Sequence, residues 1–208
     1  MSKKIVITIA RQYGSGGREI GEIVARKLNI PIYDKELITE AAANGKLDES
    51  VIKSADEAAA NSLLYTLAMG SNVVGTALHF GYKMPLNDRL FILQSELIKN
   101  KSEESCVIIG RCADYVLRDR PGVLRLFIYG DLEHRKNRVA MRHPELKASA
   151  IIDAINKTDK RRASYYNFYT GNKWGKYDNY DMAINSSTLG IDGTAELIVA
   201  CVKKLAED

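Results

Sequence analysis

The stretch Ile5-Val-Ile-Thr-Ile-Ala-Arg-Gln-Tyr-Gly-Ser-Gly-Gly-Arg-Glu-Ile-Gly21 constrains this chain more than any other part of it. It opens on an unbroken apolar run, Ile5 to Ala10, which Arg11 stops. A turn holding Gly14, Ser15, Gly16 and Gly17 follows, and then Ile20, Ile23, Val24 and Leu28 recur at helical spacing. A strand that passes through glycines into a helix brings the unpaired N–H groups and the positive dipole end of that helix to one point. Glycines there let the backbone approach an anion without a Cβ in the way. The physical expectation is a phosphate site built from Gly14, Ser15, Gly16, Gly17, Arg18 and Glu19.

Two motifs compete for the loop. The dinucleotide fingerprint G-x-G-x-x-G matches Gly14 and Gly16 but requires glycine where Glu19 stands, with Asp34 roughly at the place of its ribose acid. The P-loop, G-x-x-x-x-G-K-[ST], aligns Gly17-Arg18-Glu19 with its last three positions and leaves Gln12 for its first glycine. Arginines elsewhere in the chain tilt the balance to the P-loop, because a transferring phosphoryl group needs cations around it and a hydride does not. A plain strand-to-helix connection is the alternative without chemistry.

Further apolar runs at Ile30 to Tyr33, Cys106 to Ile109, Val123 to Tyr129 and Met182 to Asn185 alternate with helical patterns. Runs without polar alternation, separated by helices, read as a parallel sheet buried on both faces. About 70 residues separate the second and third runs, more than one crossover helix needs, so a small helical insertion is expected there. Helices are expected at Lys35 to Ala43, Ala55 to about Met69, Leu86 to Lys99 and Ile191 to Leu205. No repeat or linker divides the 208 residues, which read as a single domain over 1–208.

Three cysteines without C-x-x-C spacing point to a reducing compartment and a cytoplasmic protein, and no apolar run approaches the roughly 20 residues of a membrane span. The net charge of +4 is unevenly placed: His134 to Arg162 carries nine Lys and Arg against three acids, which suits phosphates or a solvated helix face. Seven of the 16 aromatic residues fall between Tyr165 and Tyr180. Tyr165 and Tyr169 share a helix face and suit packing onto a core; stacking on a nucleotide, or on single-stranded nucleic acid beside the basic residues, is the competing use. His79, His134 and His143 have no ligand spacing.

Several of these segments together resemble the cytidylate kinase-like family, relatives of the bacterial cytidylate kinases among the P-loop nucleoside monophosphate kinases. They are Ala10-Arg-Gln-Tyr-Gly-Ser-Gly-Gly-Arg18, Ile30-Pro-Ile-Tyr-Asp-Lys-Glu-Leu37, Val107-Ile-Ile-Gly-Arg111, Asp159-Lys-Arg-Arg-Ala-Ser-Tyr-Tyr-Asn-Phe-Tyr-Thr-Gly171 and Tyr180-Asp-Met-Ala-Ile-Asn-Ser-Ser187. The resemblance implies a three-layer α/β fold with a parallel five-stranded sheet. It also implies an NMP-binding helical insertion over about 38–100 and a lid over about 142–176. The implied reaction is transfer of the ATP γ-phosphoryl group to CMP or dCMP with Mg2+.

Carried over position by position, Arg111 resembles the arginine that holds the acceptor phosphate, and Arg89 a second such arginine; a loop cap and an exposed helix charge are the alternatives. Asp159 and Arg162 resemble an Asp-x-x-Arg pair of the lid that contacts substrate, with Arg161, Arg138 and Arg142 as further lid arginines; a solvated ion pair is the alternative. Asp34 resembles the acid after the second strand, or else caps a turn. Arg18, Arg111 and Arg162 are thus the expected catalytic cations. Arg18 and Glu19 depart from the P-loop Lys and Ser/Thr; Arg18 alters the geometry of transfer, and Glu19 is expected to face solvent. Two other functions therefore stay open: a nucleotide-binding module with little kinase activity, and a kinase for another small acceptor. A membrane partner is not expected, and nucleic acid is the least favoured partner.

Overall fold

Strands form where the apolar runs predict them. They are β1 (Val6–Arg11), β2 (Ile32–Tyr33), β3 (Cys106–Ile109), β4 (Val123–Tyr129) and β5 (Met182–Asn185). The computed structural model describes residues 4–34, 36–45 and 86–207. All neighbouring strands are parallel and lie in the order β2-β3-β1-β4-β5, with Val6 registered against Cys106 on one side and Val123 on the other. β2 is shorter than its apolar run because Pro31 has no N–H to give; only its carbonyl joins the ladder, accepting the Val107 N–H at 2.9 Å.

Helices cover both faces, which is why the strands carry no polar alternation. Between β1 and β2 runs α1 (Gly17–Leu28), and Ile20 and Val24 on it are fully buried with Ile7, Ile9, Leu126 and Ile128 of the sheet. The carboxyl-terminal α7 (Ser186–Glu207) packs beside α1 through Ile198 and Val202. Gly190, at φ 66° and ψ −177°, breaks it, so the expected helix from Ile191 is preceded by one extra turn at Ser186. The opposite face is covered by α2 (Glu36–Asn44), α3 (Leu86–Lys101) and α4 (Ala113–Val116). Leu37, Leu90, Leu97 and Ile98 bury there against Val6, Cys106 and Ile108. Each fully buried Ile or Leu of these two cores contributes about 1.5–3 kcal/mol relative to exposure.

Two further helices, α5 (Leu132–Arg142) and α6 (Ala148–Thr170), connect β4 to β5 and pack together through Val139, Ile151 and Ile155. They carry the basic segment, and they lie next to the glycine loop, where Val139 and Arg135 crowd Gly14. The expected helix at Ala55 to Met69 lies outside the described residues, as does most of the insertion predicted over 38–100. Among the described residues no helix is long and apolar enough to cross a membrane.

Candidate active site

β1 delivers the chain to the loop at the carboxyl edge of the sheet, where open α/β sheets bind ligands. The loop is held from below. Gln12 N–H donates to the Ile128 carbonyl at 2.9 Å, the buried Ser15 hydroxyl donates to the carbonyls of Gln12 (2.9 Å) and Ile128 (3.1 Å), and the Ser186 hydroxyl donates to the Ser15 carbonyl at 2.7 Å. Gly14 and Gly16 take left-handed φ of 81° and 79°, and Gly16 caps α1. The first-turn N–H groups of α1, from Gly17 to Glu19, have no intrahelical acceptor and face the loop mouth. α1 begins at Gly17, so the glycine that caps it is Gly16 and not the Gly17 that the P-loop alignment placed last. With Gly16 as the capping glycine, Gly17 stands where a P-loop has its lysine and Arg18 where it has its hydroxyl.

A cleft of about 540 Å³ opens above this loop. It brings together nine of the expected residues: Gly14, Gly16, Gly17 and Arg18 from the loop and α1, Asp34 after β2, Arg111 after β3, Arg142 at the end of α5, and Arg161 and Arg162 from α6. Asp34 is buried and lies 3.6 Å from both Arg11 Nη2 and Arg18 Nε. Arg18, half exposed, also donates from Nε to Glu22 at 2.9 Å. Arg111 sits in a run of three positive φ values, Gly110 70°, Arg111 58° and Cys112 53°. Non-glycine residues pay about 1–2 kcal/mol each for that conformation, a strain that sets Arg111 at the cleft. Arg162 donates to the Arg11 carbonyl at 2.8 Å, and burial pulls its pKa below the usual arginine range against the opposing pull of Asp159 and Asp34.

Ser15, Glu19, Arg89, Arg138 and Asp159 do not line the cleft. Ser15 lies beneath the loop, and Arg89 is exposed on α3. Asp159 shares a helix face with Arg162 but pairs elsewhere: one oxygen accepts the Tyr13 N–H at 2.7 Å and the other accepts Arg135 Nη1 at 2.6 Å. Its carboxylate thereby ties the glycine loop to α5 and α6. Glu19 does not face solvent as a lone acid; it accepts hydrogen bonds from Arg138 (2.5 Å) and Arg142 (3.2 Å). Both arginines expected on substrate therefore neutralise the acid that departs from the P-loop motif.

A sequence model of the cytidylate kinase-like family matches residues 6–188 of the 208. The chain belongs to the cytidylate kinase-like family. A cytidylate kinase of Archaeoglobus fulgidus is 25% identical to it over 209 residues, covering 97% of this chain and 98% of that one. A solved structure of an uncharacterized protein from Eubacterium ventriosum superposes with a TM-score of 0.71 at 28% identity, covering 96% of this chain and 99% of that chain. The shikimate kinase of Bacteroides thetaiotaomicron shares the fold at 15% identity and a TM-score of 0.54, with 97% of this chain and 99% of the other covered. The gluconokinase of Sinorhizobium meliloti does so at 13% and 0.53, with 100% and 96% covered. Family and fold together support a P-loop phosphotransferase, and kinases of this family use a nucleotide and a metal.

In this kinase-family cleft a magnesium ion has little protein to hold it. Among the described residues no three His, Cys, Asp or Glu side chains cluster. Mg2+ fits such a site nonetheless, because it keeps several waters and takes one or two carboxylates plus substrate phosphates. Asp34 is the cleft carboxylate suited to that, since Asp114 is committed to Tyr166, whose hydroxyl donates to it at 2.7 Å. Burial raises the Asp114 pKa above the ordinary carboxylate range, only partly offset by that hydrogen bond.

The aromatic cluster is mostly spent on packing. Tyr169 stacks on Phe91 of α3 at 4.1 Å and donates to Asp88 at 2.9 Å, while Tyr165 meets both rings. Trp174 and Tyr180 pack on Phe127 of β4. Sequence reasoning missed Arg11, Arg135 and Asp114. The one local signal was Arg11 itself, a guanidinium ending an apolar strand directly before a glycine loop.

Proposed function

We propose that this protein transfers the γ-phosphoryl group of ATP to CMP or dCMP, giving ADP and CDP or dCDP. The carrying observation is the convergence of the α1 amino terminus, Arg111, Arg161 and Arg162 on one cleft. The pyrimidine acceptor is supported by the Archaeoglobus cytidylate kinase, similar over 97% of the chain. The lid role of residues 142–176 and the acceptor-binding role of the 38–100 insertion belong to this same reading.

In the step itself, an oxygen of the acceptor phosphate forms a bond to the γ-phosphorus as the bond from that phosphorus to the bridging oxygen breaks. The electron pair stays on ADP, and no proton has to move. Catalysis therefore rests on position and charge. The loop N–H groups hold the donor phosphates, Arg111 holds the acceptor phosphate in line, and Arg161 and Arg162 gather charge around the transferred group. Mg2+, when bound, neutralises charge across the phosphate oxygens, and Asp34 would hold it through water.

Arg111→Gly tests the assignment cleanly, because glycine suits the left-handed backbone there and should not cost folding. With ATP, Mg2+ and CMP, turnover should fall by about 100-fold or more at an unchanged melting temperature. Near-wild-type turnover removes Arg111 from the site. The absent side chain at Gly17 favours a second reading, a nucleotide-binding module; calorimetric ATP binding without diphosphate product would select it.

A further inference from the structure

The side chain of Arg11 turns back across the loop mouth instead of out to solvent, and three contacts fix its path. Its stem passes over Gly17, where a Cβ would stand 2.6 Å from Arg11 Cβ and 3.1 Å from its Cγ. Its guanidinium then lies over Gly110, where a Cβ would collide with Nη1. Nη2 ends 3.6 Å from Asp34 Oδ1, and the side chain is only 18% exposed although it lines the cleft.

A loop that binds polyphosphate needs a fixed cation near the helix start. In a P-loop the residue after the capping glycine is a lysine that reaches the β- and γ-phosphates. Here that residue is Gly17, with no side chain, and the space a side chain would leave through is filled by the stem of Arg11. Arg18, one position later, is half exposed and bonded to Glu22. We infer that Arg11 is the phosphate-binding cation of this loop, entering from the end of β1 in place of a lysine at the start of α1. Gly17 and Gly110 are the two gaps through which its side chain passes. The planar guanidinium can keep one edge on Asp34 and offer the other to phosphate oxygens, which a lysine ammonium does less well. This assignment rests on the reading that the donor phosphates of ATP occupy the loop.

The test uses the full chain, with ATP binding read by calorimetry without acceptor and turnover read with ATP, Mg2+ and CMP. Arg11→Ala should weaken ATP binding by about 10- to 100-fold and cut turnover by about 100-fold or more. Arg18→Ala should lose less on both. Gly17→Lys alone should also lose binding, since its stem collides with Arg11. In the double variant Arg11→Ala with Gly17→Lys, the freed space admits the lysine and ATP binding should recover most of the loss. Melting curves check that each variant folds, and Arg11→Lys, which keeps the charge, gives a second reading if Arg11→Ala does not fold. ATP affinity within about threefold of wild type for a folded Arg11→Ala would overturn the inference, as would a double variant no better than Arg11→Ala. Wild-type protein that binds ATP through Arg11 but yields no CDP would sink the kinase reading and leave the inference standing. CMP phosphorylation undiminished by Arg11→Ala would do the reverse.

Discussion

Asp159→Ala should unfold more easily because it removes one carboxylate from two partners at once. Oδ1 accepts the Tyr13 N–H and Oδ2 accepts Arg135 Nη1, and the two side chains of the ion pair are 17% and 10% exposed. Breaking a buried pair by deleting one partner costs about 3–5 kcal/mol when no solvent reaches it. Partial exposure places this case near the lower end, about 3 kcal/mol. Asp159→Asn keeps an acceptor for Tyr13 and loses only the charge toward Arg135, so about half that cost is expected. In a chain of this size the alanine loss corresponds to about 6–12 °C in melting temperature. Urea unfolding read beside KM for CMP separates this tie from the substrate contact that the Asp-x-x-Arg spacing suggests. An Asp159→Ala protein within about 1 kcal/mol of wild type, with KM for CMP raised, would refute the structural role and restore Asp159 to the substrate.

Asp114 sets a pH dependence. Burial raises its pKa in the folded chain, so between the unfolded and folded values the folded state holds more protons and unfolding free energy falls as pH rises. Wild type should therefore lose stability relative to Asp114→Asn from the ordinary carboxylate range, near pH 4, up through the folded pKa; urea titrations showing the opposite slope would exclude that origin. Gly110 and Gly171 share left-handed φ values of 70° and 69°, but a Cβ meets Arg11 at the first and nothing within 4 Å at the second. Both alanine variants should lose about 1 kcal/mol to backbone conformation. Only Gly110→Ala should also lose ATP affinity by calorimetry, and equal affinities would place Arg11 elsewhere.

Strands and their order of appearance were legible because unbroken runs such as Ile5 to Ala10 and Cys106 to Ile109 can be buried only in a sheet covered on both faces. The phosphate loop was legible for a local reason too, since strand, glycines and helix start are contiguous. Partners were not. Asp159 lies 146 positions from Tyr13, and Glu19 lies 119 from Arg138; those contacts exist only once α5 and α6 fold beside the loop. Helical spacing put Asp159 and Arg162 on one face correctly, yet it cannot say that Arg135 of the neighbouring helix will take the carboxylate. Arg11 was hidden by its position, reading as the residue that ends a strand. Its meaning depends on Gly17 and Gly110, which adjoin it only in the folded protein.

The most direct measurement is a coupled ADP-release assay with ATP, Mg2+ and a panel of ribo- and deoxyribonucleoside monophosphates, the products identified by chromatography. CMP or dCMP should be converted to the diphosphate with kcat/KM well above every other acceptor. No diphosphate from any acceptor by folded protein, or a preference for a purine monophosphate, would contradict the proposed reaction.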